Sequence, residues 1–339
     1  MASNLPLVTV VIPTYNRADS LRRTLDSLAQ QAYPADHYEV LVVDDGSPKA
    51  LSRPECPSYP FALTIERQSN QGEVLARNRG AALAQGELLV FLDDDITVVP
   101  AYLQAVVEAF LADPQSIILG NILPIVSDEQ TLFEKLQGDE AAMFLGSGNG
   151  IIEVSYIDCM SGILSIGRTA FFELGQMQSL IGDGRNIWGG IDLAYRASQC
   201  SYRFYRALAA IAYHHDTSIA DLASYCARMV KVSRAVHMLF RKYPDIQGHI
   251  PMFHDKAPIT WRADPPALVV RKLARQVISS PLALRGMEGL VRVLEARYPS
   301  PAILERLYRW VSSAYIYRGY REGLKKLEGR PISATGKGA

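Results

Sequence analysis

The chain is poor in cysteine, carries no net charge and has no long hydrophobic run. Cys56, Cys159, Cys200 and Cys226 are the only cysteines among 339 residues, with no C-x-x-C spacing. They are too few for a disulfide scaffold, and they fit a reducing compartment. Thirty-five Lys plus Arg balance 35 Asp plus Glu, so no global excess of positive charge argues for nucleic acid. No apolar run of about 18 residues suggests a membrane span, and a strand begins almost at once with no signal peptide before it. A G-x-G-x-x-G after the first strand and a P-loop lysine motif are both absent, which removes the main support for dinucleotide and ATP readings. Repeats and low-complexity tracts are missing too. The expectation is a soluble, cytoplasmic enzyme.

Hydrophobic residues make up 48% of the chain and charged residues 21%, ample material for a core. The length suits one large domain, or a domain with an appendage. Along the first hundred residues, apolar runs alternate with amphipathic stretches, the α/β pattern. Val8-Thr9-Val10-Val11-Ile12 is β-branched and stops at Pro13-Thr14-Tyr15-Asn16-Arg17, after which Leu21, Leu25 and Leu28 recur at helical spacing. Val40-Leu41-Val42-Val43 stops at Asp44-Asp45-Gly46-Ser47, and Ala62-Leu63-Thr64-Ile65 leads through Asn70-Gln71-Gly72 into a helix over about 74–84. Leu88-Leu89-Val90 ends in Phe91-Leu92-Asp93-Asp94-Asp95.

Three adjacent carboxylates repel one another, and finishing a buried strand does not require them. A divalent cation turns that repulsion into binding, because Mg²⁺ or Mn²⁺ takes hard oxygen ligands and carries substrate phosphates in its remaining positions. The alternative is a solvated turn with capping aspartates. In an open, mostly parallel sheet, ligands sit beyond the carboxyl ends of the strands, so Asp44-Asp45 and Asp93, Asp94 and Asp95 are expected to face one crevice.

Four segments in order, Val10 to Arg17, Val42 to Ser47, Gly72 through Ala76-Arg77-Asn78-Arg79-Gly80, and Phe91 to Asp95, resemble the signatures of the family 2 glycosyltransferases with a GT-A fold. The resemblance continues more weakly to about Ser218. Beyond it, only the basic, aromatic-rich tail with Tyr317-Arg318-Gly319-Tyr320-Arg321-Glu322-Gly323 is similar to bacterial members. It implies a Rossmann-like, mostly parallel sheet over residues 1–218, with a nucleotide half over about 1–100 and an acceptor half over about 101–218. A mainly helical region over 219–339 follows.

It also implies roles. Asp45 is expected to read the nucleobase, with Pro13, Thr14, Tyr15, Asn16 and Arg17 lining the same pocket, although Asn16 and Arg17 are equally suited to capping the next helix. Arg77 is expected near a donor phosphate, with backbone N–H groups at a helix start, whereas Arg79 reads as solvated. Asp93 and Asp94 are expected at the nucleotide, and Asp93 and Asp95 at the Mn²⁺ or Mg²⁺ ion of a DXD motif. Which two of the three ligate cannot be settled by counting. Tyr213-His214-His215-Asp216 resembles the segment from which a histidine reaches the metal, and His214 is preferred because it follows the tyrosine. Neighbours on a strand face opposite ways, which keeps His215 in view.

In Asp158-Cys159-Met160-Ser161-Gly162-Ile163, Gly162 permits close approach of backbone to ligand. The segment Trp188-Gly189-Gly190-Ile191-Asp192-Leu193-Ala194-Tyr195-Arg196 departs from the family. Members usually carry Glu-Asp, a variable residue, an acid, Leu and, after two more, Arg, with the Asp of the pair as base. One register aligns that pair with Gly189-Gly190 or with a deletion, and another makes Asp192 the base. Asp192 is the only carboxylate in either register and is therefore the expected catalytic base; capping a helix is its structural alternative. Trp188 suits stacking on an acceptor sugar or core packing.

From residue 219 onward the chain reads as helices. Residues 267–330 hold 13 Lys plus Arg against 5 Asp plus Glu, and mixed basic and apolar faces permit peripheral attachment at the inner face of an anionic membrane. Residues 335–339 read as disordered. The expected reaction is metal-dependent, inverting transfer from a nucleotide-diphosphate sugar to a glycan, lipid-linked or small-molecule acceptor, in glycan biosynthesis. A nucleotide-sugar binding protein without transfer, or a nucleotidyltransferase, are the alternatives.

Overall fold

A computed structural model describes residues 5–51, 58–125, 130–136, 148–180, 187–215, 221–297 and 300–328. The expectation for residues 335–339 lies outside the described residues, as do Cys56 and Asp216. The chain divides into two compact units, residues 1–128 with 137–216, and residues 129–136 with 217–339. The short piece at 129–136 belongs to the second unit, where Phe133 packs edge-on against Tyr225 and Tyr308.

Among the described residues, the first unit is built on nine strands: β1 (Val8–Thr14), β2 (Tyr38–Asp44), β3 (Ala62–Arg67), β4 (Leu88–Leu92), β5 (Ile96–Val98), β6 (Ser116–Leu123), β7 (Ile151–Glu153), β8 (Ile163–Gly167) and β9 (Arg203–His214). They form one sheet in the order β3-β2-β1-β4-β8-β6-β9-β5, with β7 paired to β9. The first four run parallel. β8 then pairs antiparallel with both β4 and β6, and β6 runs parallel with β9. The chain steps outward from β1 through β2 to β3, then returns to place β4 on the other side of β1. That reversal opens a crevice at the carboxyl ends of β1 and β4, the place where such sheets take ligands.

β1 is buried along its whole length, as a β-branched strand covered on both faces should be. Its alternate side chains separate into two cores. Val8, Val10 and Ile12 pack with Leu21, Leu25 and Leu28 of α1 (Ala18–Leu28), while Val11 packs with Val74 and Ala81 of α2 (Glu73–Leu83). α3 (Tyr102–Ala112), α4 (Arg168–Glu173) and α5 (Gly189–Gln199) complete the unit. β9 is the longest of these strands because β5, β6 and β7 all pair along it.

In the second unit, α6 (Leu222–Lys242) packs on α9 (Pro301–Glu328), with α7 (Pro266–Ile278) and α8 (Pro281–Arg297) beside them. Gly319 and Gly323, one turn apart in the tail motif, lie against the backbone of Val230 and Arg234, where added Cβ atoms would come within 2.5 Å of the two carbonyl oxygens. The glycines let the two helices meet backbone to backbone.

α2 carries Arg77, and Gly80 sets how closely that helix lies on β1: a Cβ at Gly80 would overlap Val11 Cγ1. Gly80→Ala gains up to ~1 kcal/mol of helix propensity but overpacks a stiff β-branched neighbour at ~1–3 kcal/mol. Urea unfolding should show net destabilisation. In a Val11→Ala background the same change should become stabilising, and additive effects in the double-mutant cycle would contradict this packing.

Candidate active site

Three elements converge on the acidic run that follows β4. Thr14, the last residue of β1, donates its hydroxyl to Asp94 Oδ2 at 2.6 Å, and Thr24 of α1 donates to the Asp94 carbonyl at 3.0 Å. Asp94 is therefore turned inward and is 5% exposed. Burial, resisted by the Thr14 bond and the Arg17 charge, pushes its carboxyl up to about 6. Asp94, expected at the nucleotide, ties β1 and α1 to the strand end through the Thr14 and Thr24 bonds.

Arg17 stands between the two aspartates, 3.3 Å from Asp94 Oδ1 and 2.7 Å from Asp95 Oδ2. Its loop is fixed by Asn16, which has φ +55 and donates its backbone N–H to Ser47 Oγ at 2.8 Å. Pro13 is buried within β1, and Tyr15 is exposed. Asp95 also meets His214 Nε2 at 3.1 Å through its other oxygen. Burial would raise the Asp95 pKa, but the His214 hydrogen bond and charge, with those of Arg17, outweigh it and hold the carboxyl below its ordinary range.

The pairing of β5 with β9 decides between the two histidines. Ile96 lies opposite His214, the His215 N–H donates to the Asp95 carbonyl at 2.8 Å, and the His215 ring bonds Thr97 Oγ1 at 2.9 Å. His214 is thus the one whose ring faces the carboxylate.

Asp93 has a different neighbourhood. Its carboxylate is bound by the guanidinium of Arg77, which is 1% exposed and also lies 3.7 Å from Glu73. The Asp93 N–H donates to the Gly162 carbonyl at 3.1 Å, and a Cβ at Gly162 would run into the Asp93 carboxylate. The close approach expected at Gly162 is made to Asp93. Arg77 itself is buried against that aspartate and α2, not open at a helix end. Its Nε and Nη1 make no hydrogen bond.

Asp45 is 5% exposed. Its N–H donates to the Thr14 carbonyl, and its carboxylate accepts from Gln68 Nε2 at 2.8 Å, Gln71 N at 2.9 Å and Gly72 N at 2.8 Å. Three of roughly four acceptor positions are taken, so Asp45 shapes the glycine loop that opens α2. Asp44 does the same for its own turn, accepting from Ser47 N and Arg67.

Asp192, the expected base, lies in the first turn of α5 with no exposed surface. Its Oδ2 accepts from Arg196 at 3.0 and 3.2 Å, and Arg196 in turn donates to the carbonyls of Leu174 and Gln176. This differs from a carboxylate open to an acceptor hydroxyl. The preceding Trp188 is left-handed at φ +72, and Gly190 packs so tightly on the turn before β8 that a Cβ would lie 2.7 Å from Ser161 N.

Among the described residues, no three His, Cys, Asp or Glu side chains converge as a metal cluster. Asp95 and His214 supply two donors side by side. Two protein donors suit Mg²⁺ or Mn²⁺ when water and phosphate oxygens fill the remaining positions, so the donor set fits such an ion. Residues 9–172 match the family described as Glycosyl transferase family 2.

These residues form a family 2 glycosyltransferase domain.

Among its relatives is the glycosyltransferase AglE of Haloferax volcanii, 34% identical over 125 residues, covering 36% of this chain and 41% of AglE. A validoxylamine A glucosyltransferase of Streptomyces hygroscopicus is 43% identical over 123 residues, covering 35% and 29%. The chain spans less than half the length of both. The uncharacterized glycosyltransferase YibD of Escherichia coli aligns over 91% of this chain and 95% of its own at 22% identity. A solved mannosyltransferase from Pyrobaculum calidifontis, in complex with GDP-Man and Mn²⁺, shares the fold with TM-score 0.60 and 20% identity, covering 96% and 88%. The family 2 domain has the GT-A fold.

Thr24 and Gln68 leave no local signal of their place in this site, since each acts across a contact distant along the chain. The two arginines differ sharply in burial. Arg77→Met removes a fully buried cation from a partly exposed partner and should cost about 3 kcal/mol. Arg17→Ala removes a half-exposed pair and should cost under ~1 kcal/mol. Similar losses in chemical denaturation would contradict this division.

Proposed function

We propose that the chain is a metal-dependent, inverting glycosyltransferase that moves a sugar from a nucleoside diphosphate donor to an acceptor hydroxyl. The observation that carries this reading is the Asp95–His214 pair beside the β1/β4 crevice. It is supported by likeness to a mannosyltransferase solved with GDP-Man and Mn²⁺.

Asp95 and His214 would hold the divalent ion, whose chemistry is to stabilise the negative charge of the departing diphosphate. Asp93, neutralised by the buried Arg77, keeps a partly exposed side chain at the strand end without adding to the repulsion in the run. Arg17 occupies the Asp94–Asp95 pair and is more than half exposed at its side chain. With a divalent ion held at Asp95, Arg17 would be free to turn to a diphosphate oxygen, and one cation would replace another. Pro13, Thr14, Tyr15, Asn16 and Asp45 set the loop walls of the nucleotide pocket. The acceptor is a glycan, lipid-linked or small-molecule hydroxyl.

Asp192 acts as a positioning residue in this reading. Its pair with Arg196 ties α5 to the carbonyls of Leu174 and Gln176, while Gly190 in the same first turn packs on the turn before β8 whose Gly162 abuts Asp93. The burial of that carboxylate also favours a second reading, nucleotide-sugar binding without transfer, because inversion needs a proton acceptor at the acceptor oxygen.

Two substitutions test these assignments. Asp95→Asn should weaken Mn²⁺-dependent binding of nucleoside diphosphates by at least tenfold in calorimetry, with the fold retained; equal binding would remove the metal role. Asp192→Asn should lower melting temperature and turnover together, and Arg196→Met should do the same. A turnover loss of ~10²–10⁴-fold at unchanged melting temperature would instead make Asp192 the base. No transfer by the wild type from any donor in a broad panel would favour the binding protein.

A further inference from the structure

The solvent side of α7 carries an apolar stripe, flanked by the exposed Arg271 and Gln276. Pro266, Ala267, Val270, Leu273, Ala274 and Val277 share one side of the helix at helical spacing and all are exposed, Val270 at 65% and Val277 at 69%. α8 repeats the arrangement. Leu282 at 81%, Leu290 and Val293 lie on its outer side, with Arg285 and Arg292 along one flank and Arg297 at its end. Apolar residues are ordinary on a surface singly, but two helices that each present an apolar stripe to solvent are not.

The charges around these stripes are sorted. α7 has no acidic residue, and its Lys272 and Arg275 are used inward on Asp264 and Asp255. The two acids of α8 turn to α9, where Tyr315 donates to Glu288 at 2.5 Å and Tyr308 to Glu295 at 2.6 Å. Arg271, Arg285, Arg292 and Arg297 are left outward beside the apolar stripes. A second copy of this face would bring arginines against arginines, whereas an anionic bilayer answers both the charge and the exposed side chains. No helix among the described residues is long and apolar enough to cross a membrane, so the contact is with the surface.

We propose that α7 and α8 dock the protein on anionic lipid, with Val270, Leu273, Val277, Leu282 and Val293 entering the headgroup region and the four arginines meeting lipid phosphates. The test is sedimentation of the full chain with vesicles of phosphatidylcholine alone, or with one third phosphatidylglycerol. Wild type should pellet with the anionic vesicles only, and high salt should release it. Replacing Val270, Val277, Leu282 and Val293 together by Ser should weaken binding on the order of 100-fold. Each of Arg271→Ser, Arg285→Ser and Arg292→Ser should cost about fivefold. These positions are exposed, so melting temperatures should stay near wild type.

Wild type that stays in the supernatant with anionic vesicles, or a serine variant that pellets like wild type, would overturn the proposal. Self-association in sedimentation velocity that the serine variant abolishes, without lipid binding, would assign the face to a dimer instead.

Discussion

Mutual repulsion among Asp93, Asp94 and Asp95 is the constraint around which the first unit is arranged. Three carboxylates in a row at the end of a buried strand need cations, and each receives one from elsewhere in the chain. Arg77 reaches Asp93 from α2, Arg17 bridges Asp94 and Asp95 from the loop after β1, and His214 meets Asp95 from the end of β9. Each partner presupposes a piece of sheet topology. Arg17 requires β1 beside β4, and His214 requires β5 paired with the far end of β9. A fold that misplaced either strand would leave a charge unpaired in a site that is mostly buried.

The repulsion also explains why the site is poised for a cation. Arg17 is the one partner that is largely in water, and the pair it makes is weak for that reason. Asp95 is held ionised by His214 and Arg17, while the buried Asp94 is moved toward neutrality and serves structure. Burial thus separates three chemically identical side chains into a structural acid, an acid bound by a buried arginine, and an acid shared by Arg17 and His214. The glycines extend the logic, since Gly162 leaves room for Asp93 and Gly80 lets α2 bring Arg77 close.

Much of this was legible in the sequence. The β-branched run from Val8 to Ile12, the helical spacing of Leu21, Leu25 and Leu28, and the apolar strand ending in Asp93 place β1, α1 and β4 because their periodicities are local. The crevice followed from strands ending in acids. What resisted reading depends on distant pairing. Whether His214 or His215 faces Asp95 is a matter of register between β5 and β9, and a three-residue strand such as β5 has no period of its own. β6, a short apolar run broken by Gly120, has no alternation to mark it as a strand. Asp94, Asp45 and Asp192 are acids whose hydrogen bonds close inward, and that burial is set by distant packing that no local pattern displays. The Asp192–Arg196 spacing of four was visible, but its use in pinning the carbonyls of Leu174 and Gln176 was not.

In the proposed reaction, Asp95 and His214 would exchange Arg17 for a divalent ion when a nucleoside diphosphate binds. Crystals grown with Mn²⁺ and a nucleoside diphosphate, measured at a wavelength where manganese scatters anomalously, test this directly. The expected map has a manganese peak bonded to Asp95 and His214, with Arg17 turned away from Asp95 toward the diphosphate. A nucleotide bound in the crevice with no manganese at those two side chains, or with Arg17 still paired to Asp95, would contradict it.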